Sequence, residues 1–158
     1  MELAAIENVV RVIFPLTMMK DGELLPAAFK LREQQDGPEK YLSVFRQFAD
    51  TFNADIQEFD KGRNLPCCIV NVGEIKGVKL AISDAIVSFI VKAVPTSLYQ
   101  SHGGIFIYIN GLLIEGSGTA TFDTLNLGEE ATYHMLAIRR RLVQVARKRM
   151  MTVEQLVT

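Results

Sequence analysis

The chain has 158 residues, 49% of them hydrophobic and 22% charged. These are ordinary proportions for a folded globular protein, and they exclude wholesale disorder. Lys plus Arg is 17 against Asp plus Glu at 18, a net charge of −1, which excludes capture of nucleic acid or a membrane surface by the charge of the whole molecule. The length predicts a single α+β domain over residues 1–158.

The elements follow in chain order. Met1–Glu2 opens the chain with an acid, and Glu7 and Arg11 interrupt any signal-like apolar region; no apolar stretch reaches the roughly 20 residues that span a bilayer. A cytoplasmic protein with no membrane partner is therefore expected. Val9-Val10-Arg11-Val12-Ile13-Phe14 is β-branched and apolar, ends at Pro15, and predicts the first strand. Asp21-Gly22 is a turn, Leu24–Leu31 is expected to be extended, and the polar stretch 32–40 is expected to be an exposed loop. Tyr41–Phe45 returns to strand composition. Phe48, Phe52, Ile56 and Phe59 then recur at helical spacing and predict an amphipathic helix over 47–59, closed by Lys61-Gly62-Arg63-Asn64.

Strands are expected at Cys67–Val72, Val78–Ile82 and Ala85–Val94, with a turn near Gly73. Asn110-Gly111, flanked by Ile105–Ile109 and Leu112–Ile114, predicts a two-residue type I′ hairpin. Thr119–Phe122 reads as a short strand. A long helix over about 129–149 should bury Met135, Ile138, Leu142 and Val145, and Thr152 with Gln155 has the spacing of a capping box. The sum is an α+β fold, a mainly antiparallel sheet with two amphipathic helices packed on it.

Few residues carry chemistry. Ser101-His102-Gly103-Gly104 has the look of an oxyanion-hole loop, but its partner motif Gly-x-Ser-x-Gly fails at Ser117, which stands between Glu115 and Thr119. The alternative is that these glycines let the strand pack closely on a neighbour. Cys67 and Cys68 are the only cysteines, too close together to bridge each other. They offer a thiolate that His102 or His134 could serve as base, yet they stand in an apolar run where burial raises a thiol pKa. No spacing of His, Cys or acids forms a metal site, and Gly73–Lys79 lacks the phosphate-loop pattern, so no metal or other cofactor is expected.

Charge is unevenly spread. Residues 1–128 hold 11 basic and 15 acidic groups, whereas 129–158 hold 6 and 3. Arg139, Arg140, Arg147, Lys148 and Arg149 are thus the candidate binding residues for a phosphate backbone or an acidic partner, although 139, 140 and 141 point 100° apart around a helix.

Four segments, Val10–Pro15, Leu25–Leu31, Leu42–Arg46 and Ser101–Ile105, together resemble a set of small uncharacterised bacterial proteins encoded near mobile elements or toxin–antitoxin loci. The likeness covers roughly residues 9–107. Those proteins usually carry Ala where Gly103 stands here, and the resemblance implies a bacterial cytoplasmic setting without implying an activity. The expected function is a non-enzymatic binding or accessory protein acting through protein–protein recognition. Met150, Met151, Val153, Leu156 and Val157 are candidates for a homodimer contact. The alternatives are a small hydrolase-like enzyme using His102 with a Cys or Ser nucleophile, and a nucleic-acid-binding protein using the basic C-terminal helix.

Overall fold

The β-branched and aromatic runs form an eight-stranded antiparallel sheet in a computed structural model that describes residues 1–158. Its strands are β1 (Asn8–Val12), β2 (Leu42–Arg46), β3 (Pro66–Asn71), β4 (Leu80–Ile82), β5 (Ala85–Ala93), β6 (His102–Ile109), β7 (Leu112–Leu113) and β8 (Met150–Thr152). Six helices accompany them, a single turn at Pro15–Met18 and five others: α1 (Phe52–Asp60), α2 (Val72–Lys76), α3 (Thr119–Thr124), α4 (Ala131–Ala146) and α5 (Val153–Val157). The fold is α+β, and only α1 and α4 exceed two turns.

Strand order across the sheet is β8-β3-β1-β2-β6-β5-β4. β6 pairs along its length with β5; on its other edge it meets β2 through residues 102–105 and its hairpin partner β7 through 108 and 109. Asn110 (φ 48°) and Gly111 (φ 78°) both take the left-handed conformation that a type I′ turn requires, as their sequence predicts.

Strand alternation divides the apolar residues between two cores. Val9, Val44, Cys68, Val70, Ile105 and Ile107 face the larger one, which α4 covers with Met135, Ile138 and Leu142. Val10, Phe45, Cys67 and Ile69 face the smaller one, covered by α1 and α5 through Phe52, Ile56 and Val153. The expected seam of α4 is buried throughout: Met135 1%, Ile138 0%, Leu142 1% and Val145 6% exposed.

Several local expectations are corrected. Pro26 sits at the first position of a 3₁₀ turn, Pro26–Phe29, where its fixed φ suits a helix start; the extended segment stops at Glu23–Leu24. Residues 32–40 contain a small hairpin, Glu33–Gln34 against Gly37–Pro38. Helix α1 begins at Phe52, five residues later than expected, and Phe48 lies outside it with its side chain exposed. The segment after Gly73 is helical because the Asn71 side chain accepts a hydrogen bond from the Glu74 amide and caps α2. Thr119–Thr124 is a helix, with Phe122 buried between it and α4. α4 is preceded by a 3₁₀ turn at Gly128–Glu130 and ends at Ala146, so Arg147, Lys148 and Arg149 lie in the connection to β8. There the Arg149 carbonyl accepts from the Ile69 amide, and the chain joins the sheet edge.

Candidate functional site

The pairing of β1 explains where a site opens. β1 runs beside β3 for its whole length, from Asn8↔Asn71 to Val12↔Cys67. Beside β2 it pairs only at Val9↔Arg46 and Val10↔Phe45. Beyond Val10 the two strands part, and β2 continues with β6 instead. The Arg11 side chain spans this gap: Nε donates to the Ala28 carbonyl and Nη1 to the Ser43 carbonyl, both at 2.7 Å. The guanidinium thus takes up one backbone acceptor of β2 and one of the 3₁₀ turn at Pro26–Phe29.

A cavity of about 570 Å³ occupies the split, within the range of small-molecule sites. Residues from both sides of the sheet reach it because it lies between strands rather than on one face. Arg11, Lys30 and Arg32 line it together with His102 and the hydroxyls of Thr17, Ser43, Thr96 and Tyr99. The opposite wall is apolar and aromatic: Phe14, Phe45 and Phe59, with Tyr99 completing the group. The ring centroids of Phe45 and Phe59, and of Phe45 and Tyr99, are 5.5 Å apart and nearly perpendicular, the edge-to-face arrangement aromatic quadrupoles favour. No carboxylate lines the cavity.

Its charges are only partly compensated. Glu39 accepts from Arg32 through the backbone amide at 2.7 Å and through Nε at 3.0 Å. Lys30 has no ion-pair partner, and Arg11 meets only neutral carbonyls, its Nη2 making no hydrogen bond within the protein. Burial pulls the Arg11 pKa down, partly opposed by the Cys68 thiolate that forms only at high pH and by the Glu39 carboxylate, with repulsion from Arg32 acting in the same direction as burial.

The Ser-His-Gly-Gly segment splits into separate tasks. The Ser101 hydroxyl donates to Asp55 Oδ2 at 2.6 Å, and the Ser101 amide donates to the same oxygen at 2.9 Å. Burial raises the Asp55 pKa, but these bonds and one from the Thr51 hydroxyl outweigh it and leave the carboxyl below its usual value. The pair ties α1 to the start of β6. His102 Nδ1 donates to the Val94 carbonyl at 2.8 Å, and Tyr41 packs edge-on against its ring. Gly104 lies beneath Tyr41, where a Cβ would stand 2.7 Å from Cδ2 of that ring. The close-packing account of Gly104 therefore agrees with the structure.

The remaining site expectations are dispersed. Cys67 and Cys68 are 0% exposed and face opposite cores. Burial is the largest cause that pushes their thiols up, to about 12 and about 11 respectively. Sγ of Cys67 donates to the Leu65 carbonyl and Sγ of Cys68 to the Arg11 carbonyl, and neither approaches a histidine ring nitrogen. Ser43 shares the cavity with His102, but the register sets Ser43 opposite Gly104 and His102 opposite Phe45. The two are diagonal neighbours across β2 and β6, and the only side-chain hydrogen bond of His102 goes to the Val94 carbonyl. His134 packs on Phe122. No cluster of three His, Cys, Asp or Glu side chains is placed to hold a metal ion, and no helix is long and apolar enough to cross a membrane.

The basic C-terminal residues differ in exposure and pairing, with Arg147, Lys148 and Arg149 exposed. Arg139 is half-buried with Nε lacking a partner, and burial lowers its pKa. Arg140 is exposed, and Lys148 pairs with Glu74 at 2.7 Å. Val153, Leu156, Val157 and Met151 pack in or against the smaller core and Met150 against the larger. The apolar residues expected to meet a second copy are thus used within the chain.

Motif reasoning passed over Lys30, Arg32, Ser43 and Tyr99, and treated Arg11 only as an interruption. A local signal existed at Arg11 alone: one cation inside the apolar strand Val9–Ile13. Comparison with protein-family models, curated proteins and solved structures finds no match.

Proposed function

We propose that this chain is a non-enzymatic binding protein of the bacterial cytoplasm whose recognition site is the cleft between β1 and β2, and that it holds an anionic group there. The observation that carries this reading is Arg11, a half-buried cation that donates to two carbonyls and pairs with no carboxylate. A partly desolvated charge without an ion-pair partner is unfavourable, and an anion entering from solvent relieves that cost. Lys30 and the hydroxyl-bearing residues Thr17 and Ser43 add donors around the same space. A concave, partly apolar site with a few convergent polar groups is the usual form of a ligand pocket. Binding rather than catalysis is favoured because no hydrogen bond joins His102 to a hydroxyl or a thiol.

A proton–nitrogen correlation NMR titration with sodium phosphate at low ionic strength tests the reading. Shifts centred on the amides of residues 11, 30–32, 43 and 102 are expected. Shifts centred instead on Arg140 and Arg147–Arg149 move binding to the basic C-terminal segment, and the absence of any localised shift refutes the anion site.

A further inference from the structure

Resting on the anion-binding reading, we infer that the cleft takes a free aromatic phosphomonoester of nucleoside 5′-monophosphate type, with its phosphate among Arg11, Lys30 and Ser43 and its ring on the wall of Phe59 and Tyr99. Charge selects the phosphate. Arg32 is held by Glu39, which leaves Arg11 and Lys30 as two cations without an ion-pair partner. A phosphomonoester carries between about −1.5 and −2 at neutral pH and offers three acceptor oxygens, whereas a carboxylate brings one charge and two. The free Nη2 of Arg11 supplies donors in the planar geometry that phosphate oxygens accept.

The second end is set by the aromatic wall. Phe59 and Tyr99, with centroids 6.1 Å apart, are half-buried rather than enclosed and line the same cavity. On β2, Ser43 at the cationic end and Phe45 at the aromatic end are two residues apart on one face, about 7 Å at the rise of a strand. The site is therefore two-ended, and a ligand fills it when a spacer of sugar size joins an acid to a flat ring. An inorganic anion held at the cationic end leaves the aromatic end of the 570 Å³ cavity unused. The cavity's dimensions favour a single free nucleotide over a strand.

Isothermal titration calorimetry with the full chain tests this, with adenosine and uridine 5′-monophosphates, the two nucleosides, and inorganic phosphate as probes. The nucleotides are expected to bind roughly ten- to a hundredfold more tightly than inorganic phosphate, the gain base–aromatic stacking commands. Lys30→Ala, at an exposed position, should weaken nucleotide and phosphate alike by about tenfold. Phe59→Leu should weaken only the nucleotides. Arg11 is left intact because it also props the parted strands. Equal affinity for nucleotide and inorganic phosphate overturns the aromatic half of the inference while leaving the anion site standing. Equal affinity for nucleotide and nucleoside overturns the phosphate half. If neither phosphate nor nucleotide binds, both this inference and the anion reading fall. A 5′-phosphorylated trinucleotide binding more than tenfold tighter than the mononucleotide overturns the assignment to a free nucleotide.

Discussion

Replacing Gly104 by alanine tests the account of the Ser-His-Gly-Gly segment as a packing device. The added Cβ would lie 2.7 Å from Tyr41 Cδ2, 2.8 Å from Cγ and 3.1 Å from Cβ. Two of these atoms are at the root of the side chain, so turning the ring about its own axis cannot clear the contact. Tyr41 must change χ1, or the strand must shift. Either movement disturbs the Tyr41 ring where it meets Phe106 and His102, at centroid distances of 5.0 Å and 5.9 Å. Overpacking of this kind costs about 1–3 kcal/mol. Loss of glycine's freedom in the unfolded chain returns about 0.5–1 kcal/mol. The expected net loss is about 1–2 kcal/mol, a fall in Tm of roughly 2–8 °C for a chain of this size. Urea unfolding followed by circular dichroism measures it. In a double-mutant cycle, Tyr41→Ala should relieve most of the Gly104→Ala cost, giving a coupling energy of about 1 kcal/mol. A Gly104→Ala protein as stable as the parent, or strict additivity in the cycle, would refute the packing account.

Thr152→Ala removes the capping box in which Thr152 Oγ1 accepts from the Gln155 amide and Gln155 Oε1 accepts from the Thr152 amide; a loss of about 1 kcal/mol is expected in thermal melts, and Thr152→Ser should restore most of it. Cys67 and Cys68 should resist a disulfide-exchange reagent at pH 8 until urea unfolds the chain, since burial holds their thiols protonated up to about 12 and about 11. The same shift sets a pH dependence. Above the ordinary thiol value of 9.0 the unfolded chain loses protons that the folded chain keeps, so stability is full below that pH and declines as pH climbs toward 11–12. Stability that stayed level across that range in urea titrations would contradict it. Combined alanine substitution of Arg147, Lys148 and Arg149 should change stability by only about 0–1 kcal/mol per residue. It should leave a gel-shift assay blank at low and moderate salt, as for the parent chain; a shift seen with the parent and abolished in the variant would restore the nucleic-acid reading.

Local sequence determined those elements whose cause is local. The Asn110-Gly111 hairpin follows from two residues that tolerate positive φ, the seam of α4 from spacing by three and four, and the C-terminal cap from Thr152 and Gln155. The unbroken apolar run of β3 likewise foretold two buried thiols, since a strand covered on both faces buries its central side chains. Short segments were decided by contacts elsewhere. Thr119–Thr124 has a strand-like composition, yet burying Phe122 against α4 makes it helical. The last basic residues leave α4 because β8 pairs with β3 at the sheet edge. The cleft belongs wholly to the tertiary structure. It exists because β1 follows β3 while β2 follows β6 beyond Val10, and strand register is a relation between distant segments. Lys30, Ser43, and Tyr99 with His102 converge there from three separate stretches of chain, and no spacing within one of them encodes that meeting.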